Sequence, residues 1–529
     1  MSVARAAPSR TTPWLLAGAL CLMTAWSFPY FAELGSPNEL TRLYLARALI
    51  DDGSLTIDGP VARRGPLTDM ARRDGHLYSD KAPGVGLLGA PCYAVLKLFV
   101  GWRAEALDDA TVLRWLRLWL AGVPTALTAW LLFGLLGRLG LGRRRRFALV
   151  WAWGAGSVAF AYGSLLYGHA LCTLWLVLGL AGGLRLARRD RPDWVPLGTG
   201  AALGAALLTE YTSLLLVLPL ALVALVLSRR RGRDLLLGSA GALLPLGLLA
   251  LYHQLCFGAP WATGYAHLVN RHYAQVHAEG LLGLTAPSFE RLGIILFSPT
   301  RGLFFYSPWL LLAPVGLIAA ASGRQPAASR PVWLGLAAGS LLYLLFAMAL
   351  KLDAWGWSLG PRHLTPLLPF WTLAAGVLLL RSDRWGIFAD WTLRLLAAYA
   401  VIAVVVPTAV FGGFPPDFSN PLADFVRPLL RAGCVGPNLG AALGLAPIWG
   451  LLPLLAGALA LAGWLATAGL ARGWQRALAV GLALGLVLAA YGVDGPPSAA
   501  EQRSLGWIRG QVLGCPAQPP LSAGPPGGS

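Results

Sequence analysis

Thirteen apolar runs, each close to the length of a transmembrane helix, dominate the sequence. A helix needs about 20 mainly apolar residues to cross the hydrocarbon core of a bilayer. Only 12% of the 529 residues are charged, which leaves too little polar surface to cover a body of this size in water. We therefore expect an all-α polytopic membrane protein, not a disordered chain, a coiled coil or an ordinary soluble enzyme. The runs lie at residues 14–32, 111–140, 147–166, 169–187, 195–213, 212–228, 234–252, 303–322, 332–350, 363–380, 389–411, 444–468 and 477–493.

The positive charge of the chain lies between the apolar runs. The net charge is +18, a value that on its own would suggest a nucleic-acid-binding protein. Short arginine clusters between membrane spans are instead typical of cytoplasmic loops, and we interpret the charge as a topology signal. The clusters lie at residues 143–146, 185–191, 229–233, 324–330, 381–384 and 472–476.

These clusters predict a topology. Arg5 and Arg10 precede the first run, and no small-residue cleavage site follows it, so we expect an uncleaved signal anchor with the N-terminus inside. The arginine clusters all fall inside only if the short run 84–101 does not cross the membrane; we expect a juxtamembrane or re-entrant helix there. Thirteen spans then place the C-terminus outside. The outward segments are 33–110, 253–302, 351–362, 412–443 and 494–529.

The C-terminal tail and the cysteines add two expectations. The tail is rich in Pro, Gly and Ser from residue 516 onward, a composition typical of disorder. Cys434 and Cys515 both fall in outward segments, where an oxidising compartment would permit a disulfide. The other four cysteines lie in or beside apolar runs and are interpreted as buried hydrophobes. No pattern of Cys and His indicates a metal site.

The first outward loop holds the most informative polar residues. Ser36-Pro37-Asn38 is a helix-start signal and Gly53 a stop signal. Within this predicted helix, Glu39 and Arg42 share one side of the first turn. A surface amphipathic helix with a local ion pair is the alternative interpretation.

Lys81 lies close to Pro83-Gly84, at the start of the short run 84–101. A helix N-terminus together with a lysine can bind phosphate. A lysine that extends to the membrane interface is the alternative.

Together these segments resemble the GT-C membrane glycosyltransferases, in particular the family 39-like branch that includes protein O-mannosyltransferases and the aminoarabinose transferase of lipid A. The resemblance covers roughly residues 14–380. It is carried first by Asn38-Glu39-(x)2-Arg42-(x)4-Arg47-Ala48-Leu49 and by the segment Tyr78-Ser79-Asp80-Lys81-Ala82-Pro83-Gly84. Later motifs are Tyr167-Gly168-His169, Thr209-Glu210-Tyr211, Cys256-Phe257-Gly258-Ala259-Pro260, Phe297-Ser298-Pro299-Thr300-Arg301-Gly302-Leu303-Phe304, Tyr306-Ser307-Pro308 and Trp355-Gly356-Trp357-Ser358-Leu359-Gly360-Pro361-Arg362-His363-Leu364.

The resemblance implies a fold, a location and a reaction. The fold is a GT-C-type bundle of about 13 transmembrane helices, with juxtamembrane helices in the first outward loop. The location is the bacterial cytoplasmic membrane. The reaction is transfer of a sugar, with inversion, from a polyprenyl-phosphate-linked donor to a lipid, glycan or protein acceptor at the outer face. No GxGxxG–strand–helix nucleotide-binding pattern is present in the sequence, in keeping with a lipid-linked donor.

The resemblance also implies residue roles. Glu39 maps to the catalytic base, and Arg42 and Lys81 map to the cations that hold the donor phosphate. Many relatives carry two acids where this chain has Asn38-Glu39, and Asn38 cannot act as a base; Asp80 and Glu210 are the fallback acids. One carboxylate suffices for inversion, because the leaving phosphate needs cations rather than a general acid.

Further outward residues are candidates for the same site. Arg301 and Arg362 each begin an outward helix and could contact the donor phosphate; a cation at the membrane interface is the alternative. His169 could line the acceptor cavity, together with Asp80 and Glu210, or cap a helix end. Trp355 and Trp357 could stack on a sugar, although most tryptophans in such chains belong to interfacial belts.

No cofactor is predicted. His267, His272 and His277 recur every five residues, a spacing that does not align metal ligands on one helix face. A divalent metal is therefore not indicated.

Two other functions remain open at this stage. The number of spans suits a transporter or lipid flippase, and Asn38 leaves room for a non-catalytic scaffold of the same fold. We divide the chain into a GT-C-like module at residues 1–380, C-terminal transmembrane helices at 381–493, and the outward tail at 494–529.

Overall fold

The computed structural model describes residues 12–31, 35–101, 107–281, 283–322, 330–381, 383–492 and 497–515. Helices account for almost all the regular structure of this part of the chain. They are α1 (Thr12–Trp26), α2 (Pro37–Arg47), α3 (Asp58–Arg64), α4 (Gly84–Val100), α5 (Asp109–Arg117), α6 (Val123–Arg138), α7 (Arg143–Gly154), α8 (Ala159–Gly163), α9 (Gly168–Leu186), α10 (Trp194–Thr209), α11 (Leu214–Leu227), α12 (Arg231–Phe257), α13 (Arg271–Ala278), α14 (Phe289–Phe297), α15 (Leu303–Tyr306), α16 (Leu312–Ala321), α17 (Arg330–Ala349), α18 (Leu368–Leu379), α19 (Arg384–Phe411), α20 (Arg427–Arg431), α21 (Leu439–Ala442), α22 (Pro447–Thr467), α23 (Gly473–Gly492) and α24 (Ala499–Trp507).

Shorter segments complete these helices. A two-stranded antiparallel hairpin pairs β1 (Ala71–Arg73) with β2 (His76–Tyr78). The π-helical turns are Ala48–Asp52, Leu118–Gly122, Leu422–Val426 and Ile508–Val512, and the 3₁₀ turns are Tyr211–Ser213, Gly264–His267, Pro308–Leu311, Leu352–Trp355 and Arg362–Leu367.

The prediction of an all-α polytopic protein is confirmed. Seven helices in the described ranges are long and apolar enough to cross a membrane: Asp109–Arg138, Gly168–Leu186, Arg231–Phe257, Arg330–Ala349, Arg384–Phe411, Pro447–Thr467 and Gly473–Gly492. The other six predicted runs are also helical, but they form shorter or interrupted helices. The number 13 therefore stays a prediction.

One interrupted run shows how the bundle tolerates a break. Run 147–166 is split into α7 and α8 at Gly154-Ala155-Gly156-Ser157, where the glycines weaken the helix. The indole Nε1 of the buried Trp309 donates to the carbonyl of Gly156 at 2.7 Å. Non-helical backbone at membrane depth is tolerated where protein satisfies its polar groups in this way.

Polar contacts between loops agree with the predicted sidedness. Segments predicted on one side pair with each other, and segments predicted on the other side do the same. The outward pairs are Glu279 with Lys351, Thr300 with the carbonyl of Ser419, and Asp417 with Ser504. The inward pairs are Arg145 with Asp390, Arg191 with Asp234, and Arg233 with Asp193.

The first outward loop folds around α2. This helix begins at Pro37 and is followed by a π-helical turn and by Gly53 in the left-handed region (φ 61°), so both the predicted start and the predicted stop are confirmed. Helix α4, which covers the short run 84–101, packs along α2. The two helices approach closely because residue 86 is a glycine: a Cβ there would lie 2.6 Å from Leu45 Cδ2. This packing on a loop helix agrees with a juxtamembrane or re-entrant α4, which stays a prediction.

The structure also joins Cys434 and Cys515 in a disulfide, as the sequence predicts. Two predicted spans, α22 and α23, separate the two cysteines, so both lie on the same side. The bond ties the segment after α19 to the end of the described chain. The predicted disordered tail from residue 516 lies outside the described residues.

Candidate active site

Glu39 lies at the first turn of α2 and is almost completely buried. Arg117 donates to both of its carboxylate oxygens, from Nε at 2.8 Å and from Nη2 at 2.7 Å. The backbone N–H of Leu166 donates to Oε1 at 2.6 Å. Three hydrogen bonds are thus donated to the carboxylate that the sequence predicts to be the base. Glu39 remains a predicted base, but its contacts are those of a structural ion pair.

Arg42 lies one turn further along α2 and faces a different acid. Its guanidinium donates to the carbonyl of Asn38 at 2.6 Å and also to the Asn38 side chain. Its Nη2 lies 3.3 Å from Oε1 of Glu210, which caps α10. The same oxygen is 3.8 Å from Nδ1 of His169 at the start of α9. The structure therefore brings together three predicted site residues from three separate motifs.

Lys81 lies between two carboxylates. Its Nζ is 2.8 Å from Oδ2 of Asp80 and 3.0 Å from Oδ2 of Asp69. The ring of Tyr265 lies 5.8 Å from the same nitrogen. The triad of Asp69, Lys81 and Asp80 carries a net charge of −1 when all three groups are ionised, so the charge of Lys81 is already neutralised before any phosphate arrives.

Asp69 is a site residue that the sequence interpretation missed. The hairpin β1–β2 pairs Ala71 with Tyr78, and continuing that register by two residues sets position 69 opposite position 80. Asp74-Gly75 forms the turn, with φ of 50° and 84°. An Asp-Gly pair is a strong sequence signal for a two-residue hairpin. That signal would have placed Asp69 beside Asp80.

The two carboxyls of the triad differ in acidity. Burial raises the pKa of Asp80, Lys81 opposes this shift, and the like charge of Asp69 adds to it. Burial also acts to raise the pKa of Asp69, but Lys81 outweighs it and holds the pKa below its usual range. The charges of both carboxylates raise the pKa of Lys81 against its own burial. Asp80 is the more basic carboxyl. Its Oδ1 is buried and has no hydrogen-bond partner among the residues that the structure describes.

Arg362 and Arg301 are the two remaining cations of the predicted site. Within the described residues, neither has a carboxylate at salt-bridge distance. Arg362 donates to the carbonyl of Ala354 at 3.2 Å, and Nη1 of Arg301 lies 3.4 Å from Ser358 Oγ. Burial and the charge of Arg362 lower the pKa of Arg301 to about 10, so it stays protonated at neutral pH. Arg362 is close enough to Asp69 for its charge to contribute to lowering the pKa of that carboxyl.

An aromatic wall joins the acidic and the cationic side. The rings of His169 and His363 are 5.5 Å apart, and Trp355 packs on His363 at 5.0 Å. Arg362 lies 5.7 Å from the ring of Tyr167. Trp355 is completely buried, so it supports the wall but offers no ring face to a sugar.

Trp357 has a different surrounding. It is half exposed and contacts Trp507 of α24 at 6.2 Å, edge to face. Trp357 thus packs against the C-terminal helix. The predicted polar site residues lie near one another, but the carboxylate of Glu39 is already paired with Arg117 and the backbone of Leu166. Within the described residues, no group of three His, Cys, Asp or Glu side chains could hold a metal ion.

Comparisons with known proteins give remote structural likenesses only. No protein-family model matches the sequence, and no curated protein matches it. The crystal structure of ArnT from Cupriavidus metallidurans bound to undecaprenyl phosphate is similar at 16% identity and a TM-score of 0.48, over 92% of this chain and 77% of that one. The apo structure of ArnT gives 18% identity and a TM-score of 0.47 with the same coverage.

A further likeness is to the archaeal oligosaccharyltransferase AglB from Archaeoglobus fulgidus, in complex with an inhibitory peptide and a dolichol-phosphate. It has 11% identity and a TM-score of 0.42, over 77% of this chain and 57% of that one. At these identities and TM-scores, the function of this chain has to be inferred from its own side chains.

Proposed function

We propose that the protein is an inverting glycosyltransferase that moves a sugar from a polyprenyl-phosphate donor to a lipid, glycan or protein hydroxyl at the outer face of the cytoplasmic membrane. The observation that carries this proposal is the separation of charge across the site. Two arginines, Arg301 and Arg362, have no carboxylate at salt-bridge distance in the described part of the chain. Arg362 lies close enough to the acidic triad, whose net charge is −1, for its charge to act on Asp69.

The cationic side suits the donor phosphate. Arginine binds phosphate through a planar fork of donors, and cations stabilise the charge that develops on the leaving phosphate. Of the four predicted phosphate-binding residues, Arg42 and Lys81 already have carboxylate partners. We therefore assign the phosphate primarily to Arg301 and Arg362, with Arg42 and Lys81 orienting the acids that face it.

The acidic side suits the acceptor hydroxyl. Inversion places the attacking oxygen on the sugar face opposite the leaving phosphate, and one carboxylate takes its proton. Asp80 has the raised pKa that favours a base and an unpartnered oxygen, Oδ1, that can accept the hydroxyl hydrogen. A buried acceptor without a partner is costly, so a substrate hydroxyl would satisfy it. Asp80 replaces Glu39 as our assigned base for this reason.

Native mass spectrometry of the detergent-purified protein with undecaprenyl phosphate tests the donor site. We expect a lipid adduct in the wild type that is lost in the Arg301→Gln/Arg362→Gln double variant. Arg384→Gln, which removes a cation at the opposite polar end, is the matched control and keeps the adduct. Retention of the adduct in the double variant contradicts the phosphate assignment. If folded wild type binds no polyprenyl phosphate, the transporter or scaffold interpretation replaces the transferase.

A further inference from the structure

The inward end of the bundle contains a cavity with a basic rim. It has a volume of about 470 Å³ and lies between α6, α9, α17 and α18. Its walls are mainly apolar and include Leu184, Trp333 and Leu336, while Arg138, Arg185 and Arg188 line its mouth. These three arginines belong to the loops and helix ends that the sequence predicts at the inner face.

The charges at the rim are only partly compensated. Arg188 pairs with Asp190 through two hydrogen bonds, at 3.1 and 2.9 Å. In the part of the chain that the structure describes, neither Arg138 nor Arg185 has a carboxylate at salt-bridge distance, and Arg185 lies 5.9 Å from the ring of Trp194. The charges of Arg185 and Arg188 both act on Arg138. Three guanidinium groups and one carboxylate leave a net charge of +2 at the mouth.

We propose that this cavity binds an anionic phospholipid of the inner leaflet, with the headgroup phosphate on Arg138, Arg185 and Arg188 and acyl-chain methylenes against the apolar wall. Charge complementarity carries the choice of ligand. A basic pocket between transmembrane helices on the cytoplasmic side fits an anionic headgroup. A phosphate at the rim would relieve the repulsion among the arginines, and the leucine walls would exclude water from the chain. This site lies at the opposite end of the bundle from the candidate active site and does not depend on the proposed function.

A phospholipid bound inside the cavity can be distinguished from one that is only attracted to the basic loops. Long basic side chains near helix ends often extend to the interface without binding any particular lipid. A cavity that admits acyl chains adds a steric requirement, so filling it should abolish binding even when all the arginines remain. Leu184 is partly exposed within the wall, which makes Leu184→Trp a suitable filling variant.

Native mass spectrometry of the full-length protein tests the proposal, with phosphatidylglycerol and phosphatidylcholine of identical acyl chains as probes. We expect wild type to retain phosphatidylglycerol at collision energies that remove phosphatidylcholine. The Arg138→Gln/Arg185→Gln/Arg188→Gln variant should bind phosphatidylglycerol roughly a hundredfold more weakly, at about fivefold per lost cation. Leu184→Trp should lose the same adduct with its charge unchanged.

The matched control is Arg231→Gln/Arg384→Gln/Arg472→Gln. It removes three cations from the same polar end, and none of them lines the cavity. Equal loss of phosphatidylglycerol in this control, or full retention in the cavity variant, would overturn the proposal. Undecaprenyl phosphate serves as a third probe. If the cavity variants lose undecaprenyl phosphate and retain phosphatidylglycerol, the named occupant is wrong. Circular dichroism on each sample separates loss of the site from loss of fold.

Discussion

The carboxylate of Glu39 forms a two-point ion pair with the guanidinium of Arg117, 78 residues further along the chain, and both side chains are almost completely buried. Arg117 also donates to the carbonyl of Pro29 at 2.6 Å. The pair and this third contact thus link the end of the first apolar run, α2 and α5. A carboxylate held in this way orients the loop that carries the site, and three of its roughly four acceptor positions are already taken.

This arrangement predicts that Glu39→Gln acts on stability before it acts on chemistry. Removing one partner of a buried ion pair costs about 3–5 kcal/mol, because the other charge stays buried without compensation. We expect a lower unfolding temperature and little change in turnover per folded molecule. Arg117→Gln breaks the same pair from the other side and should lower the unfolding temperature similarly. An unchanged unfolding temperature with turnover lost would restore Glu39 as the base.

Asp80→Asn should instead lower turnover and leave the unfolding temperature nearly unchanged. If Asp80 takes the proton of the acceptor hydroxyl, its amide keeps the shape and loses the base, and turnover should fall by about 10²–10⁴-fold. The undecaprenyl phosphate adduct should persist, because Arg301 and Arg362 are unchanged. Initial rates and native mass spectra on the same samples measure both effects. Loss of the adduct with residual turnover would assign Asp80 to donor binding instead.

The pH profile should depend on the neighbour of Asp80. A base must be ionised, so the rate falls as the pH drops through its pKa, which lies above the ordinary aspartate value of about 3.9. The negative charge of Asp69 is one of the causes that raise this pKa. Asp69→Asn removes that charge and leaves the opposing pull of Lys81. The acidic limb of the rate should therefore move to lower pH in the Asp69→Asn variant.

A matched control is available at the other end of the hairpin. Asp58 contacts His76 and the backbone of Leu77, outside the triad. Asp58→Asn should leave the midpoint of the acidic limb unchanged. A shift to higher pH in Asp69→Asn, or an equal shift in both variants, would contradict the assignment of Asp80.

Local signals in the sequence predicted most of the helices and several of their ends. Apolar runs determine where helices form because backbone groups at membrane depth must bond within their own segment, and Pro37 and Gly53 lie where the signals put them. The sequence did not reveal the breaks within runs such as 147–166. Such a break depends on a distant partner, in this case the indole of Trp309.

The site could also be predicted only in part, because contacts between residues that are distant in the chain leave no local signal. Several of the residues that the resemblance nominated lie near one another although their motifs are far apart in the chain: Arg42, Lys81, Glu210, His169 and Arg362. Their roles stay predictions. The partner of Glu39 could not be inferred, since nothing near Glu39 in sequence indicates Arg117 or the N–H of Leu166. Asp69 could have been predicted, because the Asp74-Gly75 turn fixes the hairpin register that places Asp69 opposite Asp80.

The disulfide permits a test of which polar end faces outward. Cys434 and Cys515 lie at the same end as the candidate site in the predicted topology, and Ser504 and Asp417 of the neighbouring segments bond at 2.6 Å. In intact cells, a membrane-impermeant phosphine should reduce this bond, and an impermeant maleimide should then label both cysteines. Without the reductant, labelling should be absent.

The labelling needs a background in which the four remaining cysteines, which are free in the structure, are replaced by alanine. A cysteine introduced by Arg231→Cys at the start of α12 provides the opposite control, in a variant that also carries Cys434→Ser and Cys515→Ser. It should be labelled only after the cells are permeabilised, since Arg231 belongs to an arginine cluster predicted to face inward. Labelling of Arg231→Cys in intact cells, with protection of Cys434 and Cys515, would reverse the orientation. It would then place the acidic triad and its facing arginines at the cytoplasmic surface, where the proposed outer-face transfer could not occur.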